Sequence, residues 1–205
     1  MTNYYYSENP DVKHQVRDWN FELMGNQFQF ETDNGVFSKH TVDFGSRTLL
    51  NALEKSQTLS DFHGKLLDVG CGYGPLGLAI AKKYPQAKVE MVDVNNLALE
   101  LAKKNAQLNQ IQNAVIYQSN VYDQVQAHDF DAIISNPPIR AGKKIVHQIL
   151  SGAAEHLVEN GTLTIVIQKK QGAASAKKKM EEVFGNCQLI MRNKGYQILQ
   201  SMKEN

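Results

Sequence analysis

The stretch Leu66-Leu67-Asp68-Val69-Gly70-Cys71-Gly72-Tyr73-Gly74-Pro75-Leu76-Gly77 puts a carboxylate and three closely spaced glycines where an apolar strand gives way to a helix. Without a Cβ, the backbone at 70, 72 and 74 can turn tightly and come close to a ligand. The spacing is G-x-G-x-G, not the dinucleotide pattern G-x-G-x-x-G, and an acid stands two residues before the first glycine. A pyrophosphate wants bare N–H donors at a helix N-terminus and would be repelled by that acid. An amino-acid ammonium suits it. S-adenosylmethionine (SAM) carries such an ammonium and no phosphate, so Asp68, Gly70, Cys71 and Gly72 are candidate cofactor residues.

A second acid, Asp93, ends the strand-like run Lys88-Val89-Glu90-Met91-Val92. A carboxylate about 20 residues beyond the glycine turn can accept both hydroxyls of a ribose. Its alternative use is to cap the next helix, a role for which Asn95 is better placed. Asn120 follows the strand Ala114–Gln118 and could pair with an adenine edge, or simply make a turn.

The second chemical stretch is Ser135-Asn136-Pro137-Pro138-Ile139-Arg140-Ala141-Gly142-Lys143-Lys144. Two prolines stop the strand Phe130–Ser135 and fix the backbone. An asparagine oxygen and a neighbouring backbone carbonyl can together accept both N–H bonds of a planar amine. Such an amine is a poor nucleophile, because its lone pair is delocalised. Holding it in line with a methyl donor supplies proximity and favours charge developing on nitrogen, with no strong base required. Asn136 and Pro137 are the expected catalytic pair, with Asn136 also beside the cofactor.

The combination DVGCGYG, MVDVN and SNPPI resembles the class I SAM-dependent methyltransferases that modify amino groups. GVFS, VDFGS, LLDVGCGYGPLG and SNPPIRAGK narrow the resemblance to the bacterial small-subunit (16S) rRNA guanine-N2 methyltransferases, from about Gly35 to the C-terminus. Ile139 occupies a position that is aromatic in relatives acting on adenine, cytosine or glutamine. The resemblance implies SAM held by Asp68, Gly70, Gly72, Asp93 and Asn120, with Asn136 and Pro137 on the guanine amine. Two departures stand out: there is no room for the N-terminal domain many members carry, and Asn120 stands where Asp is frequent. Ribosomal RNA or the small subunit is the implied partner. Rival readings are a methyltransferase of protein or small-molecule amines and a non-catalytic SAM-fold binding module. Asn136-Pro137-Pro138 argues against the latter, since a scaffold has no need of it.

The elements that must position these residues can be read in order. Trp19–Leu23 and Gln27–Glu31 alternate about Gly25-Asn26 as a hairpin. Asp43 or Ser46 can cap a helix to about Glu54, and Phe37, Asp43, Phe44 and Ser46 could wall the pocket, with core packing an equal alternative for the two phenylalanines. Helices are expected from Leu76 to Tyr84, Leu97 to Asn109, His147 to Leu157, with His147 and His156 at its surface, and about Ala176 to Phe184. Glu159-Asn160-Gly161 reads as a turn before the strand Thr162–Gln168. Cys187–Arg192 and Gly195–Met202 close the chain as an antiparallel pair. The expected fold is α/β: a doubly wound, mostly parallel seven-stranded sheet (residues 35–205) with a small N-terminal hairpin extension (residues 1–34).

The chain has 205 residues, 42% of them hydrophobic and 21% charged, which suits one well-buried domain. No apolar run approaches membrane length, and the start, Met1 to Pro10, is not a signal peptide, so a cytoplasmic protein without membrane contact is expected. Two cysteines argue against a disulfide framework, and no Cys/His spacing suits a metal. Tyr4, Tyr5 and Tyr6 could stack on bases or cover an apolar edge. A monomer is favoured. The net charge is +1, yet Arg140 to Lys179 holds eight basic residues against Glu155 and Glu159. Arg140, Lys143, Lys169 and Lys170 each follow a strand on the ligand side of the sheet. They are expected, with Ile139, to meet the substrate and RNA phosphates.

Overall fold

The computed structural model describes residues 7–10 and 13–204; Tyr4, Tyr5 and Tyr6 lie outside the described residues. A hairpin, β1 (Arg17–Leu23) and β2 (Asn26–Thr32), precedes helix α1 (Phe44–Lys55). Then come β3 (Lys65–Val69), α2 (Pro75–Lys83), β4 (Lys88–Asp93), α3 (Asn96–Leu108) and β5 (Ala114–Gln118). The second half holds β6 (Phe130–Ser135), α4 (Lys143–His156), β7 (Leu157–Gln168), α5 (Ala173–Phe184), β8 (Gln188–Asn193) and β9 (Tyr196–Met202).

Seven strands form one sheet in the order β5-β4-β3-β6-β7-β9-β8. Strands β5, β4, β3, β6 and β7 are parallel, and β9 runs antiparallel between β7 and β8. The chain builds outward from β3 to β5, then returns to the other side of β3 with β6. Connections from β3 and β6 therefore leave in opposite directions, which opens a crevice at the carboxyl ends of these two strands.

The central strands β3 and β6 are apolar on both sides because helices cover both faces. Leu66 packs with Leu49 and Leu53 of α1, Leu78 and Ile80 of α2, and Phe28 and Phe30 of the hairpin. Leu67 and Val69 pack with Ile149, Leu150 and Ala153 of α4 and Met180 of α5. Helix caps follow the sequence closely: Asp43 accepts from the Ser46 N–H and Asn95 from the Ala98 N–H.

The hairpin forms its own two-stranded sheet and docks on α3 through two asparagines one helical turn apart. Asn105 accepts the Glu31 N–H and donates to the Glu31 and Tyr73 carbonyls, while Asn109 accepts the Gln29 N–H and donates to the Gln29 carbonyl. Their amides thus stand in for a neighbouring strand along the edge of β2. Trp19, the single tryptophan, lies 5.1 Å from the Phe30 ring and 6.0 Å from Tyr73, so the hairpin also buttresses the glycine turn.

Three expectations are corrected. Helix α4 starts at Lys143, a turn earlier than His147, because Gly142 at φ +99° lets the chain swing into the helix. Strand β7 continues through Asn160-Gly161 to Leu157, since Asn160 takes φ +63° and pairs its N–H with the Lys203 carbonyl at 2.8 Å. His156 is buried, not on the surface. Its ring is stacked between Tyr122 (4.7 Å) and His128 (4.6 Å), and its Nδ1 lies 2.7 Å from the Ala127 carbonyl oxygen. Among the described residues no helix is long and apolar enough to cross a membrane.

Asn105 is fully buried. Asn105→Ala orphans three backbone groups and is expected to lower unfolding stability by about 3 kcal/mol. Urea unfolding followed by Trp19 fluorescence checks this.

Candidate functional site

A cavity of about 530 Å³ opens at the crevice beyond β3 and β6. Its floor is the glycine turn. Gly70 (φ +77°) and Gly72 (φ +57°) hold left-handed backbone, and a Cβ on either would project into open space on the cavity side. The turn's own donors are already engaged. The N–H groups of Gly70 and Cys71 both donate to the Val92 carbonyl, that of Gly72 to Asp93 Oδ2 at 2.8 Å, and that of Gly74 to the Cys71 carbonyl. A pyrophosphate would find no cradle here.

Asp93 lies at the end of β4 and is half-buried. Its Oδ2 takes the Gly72 N–H and its Oδ1 the Asn95 N–H at 2.9 Å. The Val94 N–H also acts on this carboxylate, which keeps acceptor capacity for a ligand hydroxyl. Burial pushes its pKa up, against the pull of those N–H donors. Asn95, not Asp93, caps α3, which leaves Asp93 to the cavity wall.

Asp68 sits differently from the expectation of a direct ligand contact. It is fully buried behind the turn, outside the cavity lining. Its Oδ2 accepts the Gly77 N–H at 2.9 Å and so ties β3 to the first turn of α2. Its Oδ1 has no hydrogen-bond partner among the described residues. Desolvation, with a smaller push from the Asp93 charge, raises its pKa to about 7. The two carboxylates set negative charge at and behind the turn, which suits a cationic ligand. Cys71 lines the cavity as a neutral thiol, its pKa raised by burial and then by the Asp93 and Asp68 charges.

Opposite the turn, β6 ends at Ser135, whose hydroxyl donates to the Val69 carbonyl at 2.7 Å and ties β6 to β3. Asn136 follows and lines the cavity. Its Nδ2 donates to Asp43 Oδ1 at 3.2 Å and Ser46 Oγ at 3.0 Å. An ionised carboxylate can only accept, so the amide orientation is fixed and its carbonyl oxygen is left available. The Pro138 carbonyl is taken by the Ala141 N–H at 2.9 Å, whereas the Pro137 carbonyl accepts no bond among the described residues.

Asn120, Pro137, Ile139 and Arg140 line the same cavity, with the Asn120 amide donating to Asp123 at 3.0 Å. Lys143, Lys169 and Lys170 do not line it. They are exposed beyond it at the start of α4 and just after β7, and none has an acidic partner among the described ion pairs. Asp43 and Ser46 were legible as a cap or a pocket wall, but their hold on Asn136 was not. Gln168 and Tyr196 carried no motif, yet both line the cavity. Among the described residues no group of His, Cys, Asp and Glu is arranged to hold a metal ion.

This sheet order, with its antiparallel strand β9 and a glycine turn set between two carboxylates, is the Rossmann-like methyltransferase fold. The chain belongs to the methyltransferase small domain family, which matches residues 27–200. It is 48% identical over 204 residues to the uncharacterized protein YbxB of Bacillus subtilis (strain 168), covering 99% of this chain and 100% of YbxB. It is 43% identical over 136 residues to ribosomal RNA small subunit methyltransferase C of Aeromonas hydrophila, covering 64% of this chain and 37% of that protein. The structure of the T. thermophilus 16S rRNA N2 G1207 methyltransferase (RsmC) with AdoMet and guanosine superposes with a TM-score of 0.82 at 25% identity, covering 95% of this chain and 52% of that one. The chain thus spans all of YbxB but only about half or less of these two rRNA methyltransferases.

The raised pKa of Asp68 makes that group's contribution to stability fall as pH rises. In the unfolded chain the carboxyl ionises near its ordinary value of 3.8, in the fold only near 7, so the folded state holds the extra proton between these values. Asp68→Asn keeps an acceptor for Gly77 and removes the charge. Its thermal midpoint relative to the native chain is expected to rise as pH goes from about 4 to about 8. Thermal melts across that range check it.

Proposed function

We propose that this protein transfers a methyl group from SAM to the exocyclic N2 amine of a guanine in 16S rRNA. The observation that carries the reading is the fixed amide of Asn136. Both of its hydrogens are spent on Asp43 and Ser46, and its oxygen is kept for a donor in the cavity. The similarity to rRNA methyltransferases supports the substrate class.

The residues fit SAM at the other end of the cavity. Asp93 would hold the ribose hydroxyls and Asn120 would meet the adenine. Asp68 would brace the turn and place its negative charge beneath the amino-acid end. SAM, when bound, would supply an electrophilic sulfonium methyl: the S–CH3 bond breaks as the N–CH3 bond forms, S-adenosylhomocysteine leaves, and the surplus proton of the methylated amine passes to solvent. Asn136 Oδ1 and the Pro137 carbonyl would accept the two N–H bonds of the target amine and orient its lone pair. As positive charge develops on nitrogen, both acceptors bind it more strongly than in the ground state, which is where the rate comes from. The Asp43 carboxylate, bonded to the far side of the amide, polarises that carbonyl further. Ile139 would border the base. Arg140, Lys143, Lys169 and Lys170 would meet phosphates at the rim.

The direct test is transfer of labelled methyl from SAM to small-subunit rRNA and to assembled subunits from cells lacking this protein, followed by nucleoside analysis. Label in N2-methylguanosine is expected. Label in another nucleoside, or none from either substrate, overturns the reading. Asn136→Ala is expected to cut single-turnover transfer by about 100-fold or more while SAM affinity changes little. Asp93→Ala is expected to weaken SAM about 10-fold or more by calorimetry, because two hydroxyls lose their acceptor. Lys169 and Lys170 changed together to Glu are expected to weaken RNA binding and reduce its salt dependence, as measured by filter binding over a salt series.

A further inference from the structure

Beside Asn136 the cavity has a second polar pair that the transfer step does not use. Gln168 ends β7, and Tyr196, which begins β9, is its partner across the ladder. Gln168 Nε2 donates to the Tyr196 hydroxyl at 2.7 Å. That leaves the Tyr196 O–H free to donate and Gln168 Oε1 free to accept. Both side chains are half-buried and line the cavity.

Register places this pair next to the reacting amine. Ser135 of β6 is level with Ile165 of β7, so Asn136 is level with Val166. Gln168 is two residues further along β7, about 7 Å toward the cavity mouth. Side-chain alternation puts Asn136, Val166 and Gln168 on one face of the sheet, the face that α1 covers. Tyr196 is fixed there. Its ring lies 5.5 Å from Phe44, and at Gly45 a Cβ would come within 3.0 Å of it.

We infer that Gln168 and Tyr196 read the rest of the guanine edge and are specificity-determining residues; the inference rests on the guanine-N2 reading above. Next to N2, guanine offers the N1–H donor and then the O6 acceptor. Asn136 Oδ1, Gln168 Oε1 and the Tyr196 O–H present acceptor, acceptor and donor, which is the complement. 2-Aminopurine keeps the N2 amine but has a bare N1 and no O6. It would leave Gln168 and Tyr196 unsatisfied in a half-buried site, and a site built to hydrogen-bond a group discriminates against the analogue lacking it.

The test uses the full chain with S-adenosylhomocysteine and measures binding of guanosine and of 2-aminopurine riboside by saturation-transfer NMR. Native protein is expected to bind guanosine about 10-fold or more tightly, the product of two neutral hydrogen bonds. Tyr196→Phe and Gln168→Leu are each expected to shrink that ratio several-fold by weakening guanosine alone. Three outcomes overturn the inference: a ratio unchanged in both variants, equal weakening of both nucleosides, or no preference or no binding by native protein. The methyl-transfer assay separates the two readings. N2-methylguanosine formed by native protein with any of these outcomes sinks the inference alone, and its absence sinks the functional reading with it.

Discussion

The site depends on how one asparagine amide is held. An amide offers two donors on one side and an acceptor on the other, and free rotation would average them. At Asn136 the choice is made by Asp43, which can only accept, and by Ser46, both at the N-terminus of α1. The constraint reaches outward. Asp43 is also the cap of α1, since its Oδ1 takes the Ser46 N–H at 3.1 Å. The helix must therefore begin directly over the end of β6. Gly45 lets that first turn approach closely, because a Cβ there would stand 3.0 Å from both Asp43 Oδ1 and the Tyr196 ring. Packing of α1 onto the face of β7 and β9 thus sets the orientation of a side chain 93 residues away in sequence.

The glycine-turn half of the cavity uses carboxylates in a different way. Asp68 and Asp93 each spend an oxygen on a backbone N–H of the glycine turn or of the helix after it, so the turn is shaped by charge as well as by glycine. The cost is desolvation of the two carboxyls, visible in the raised pKa of both groups, with the Asp93 charge adding a smaller push at Asp68. A ligand cation close to the turn would offset that cost. The hairpin supports this arrangement from outside. Asn105 holds the Tyr73 carbonyl as well as β2, so the extension and the turn move together.

Much of this was legible in the residues. The central strands β3 and β6 are short and apolar on both faces, the caps of α1 and α3 are Asp and Asn, and glycines mark the turns, so local chemistry and tertiary context agree. Asp93 and Asn136 both line the cavity, as their places at the ends of β4 and β6 suggest. Asp68 shows where local reasoning stops. An acid beside a glycine turn looks like a ligand, and only the packing of α2 reveals that its carboxylate faces inward. Asn160-Gly161 has turn composition, yet pairing with the chain's last residues draws it into β7. His156 has no apolar signature, and its burial comes from Tyr122 and His128, which converge on it from the β5–β6 connection. Gln168 and Tyr196 become neighbours only through the antiparallel register of β9. For Asn160, His156, Gln168 and Tyr196 the missing information was a long-range pairing, and for Asp68 it was the packing of the next helix.

The hold of Asp43 on Asn136 is tested most directly by a double-mutant cycle on single-turnover methyl transfer, using the native chain, Asp43→Ala, Asn136→Ala and the pair. Any effect of Asp43→Ala on α1 itself is common to both arms and cancels. If Asp43 acts through Asn136, its removal slows transfer in the native chain but adds little once Asn136 is gone. Fully additive losses would show that Asp43 and Asn136 act independently, and the amide would then owe its orientation to something else.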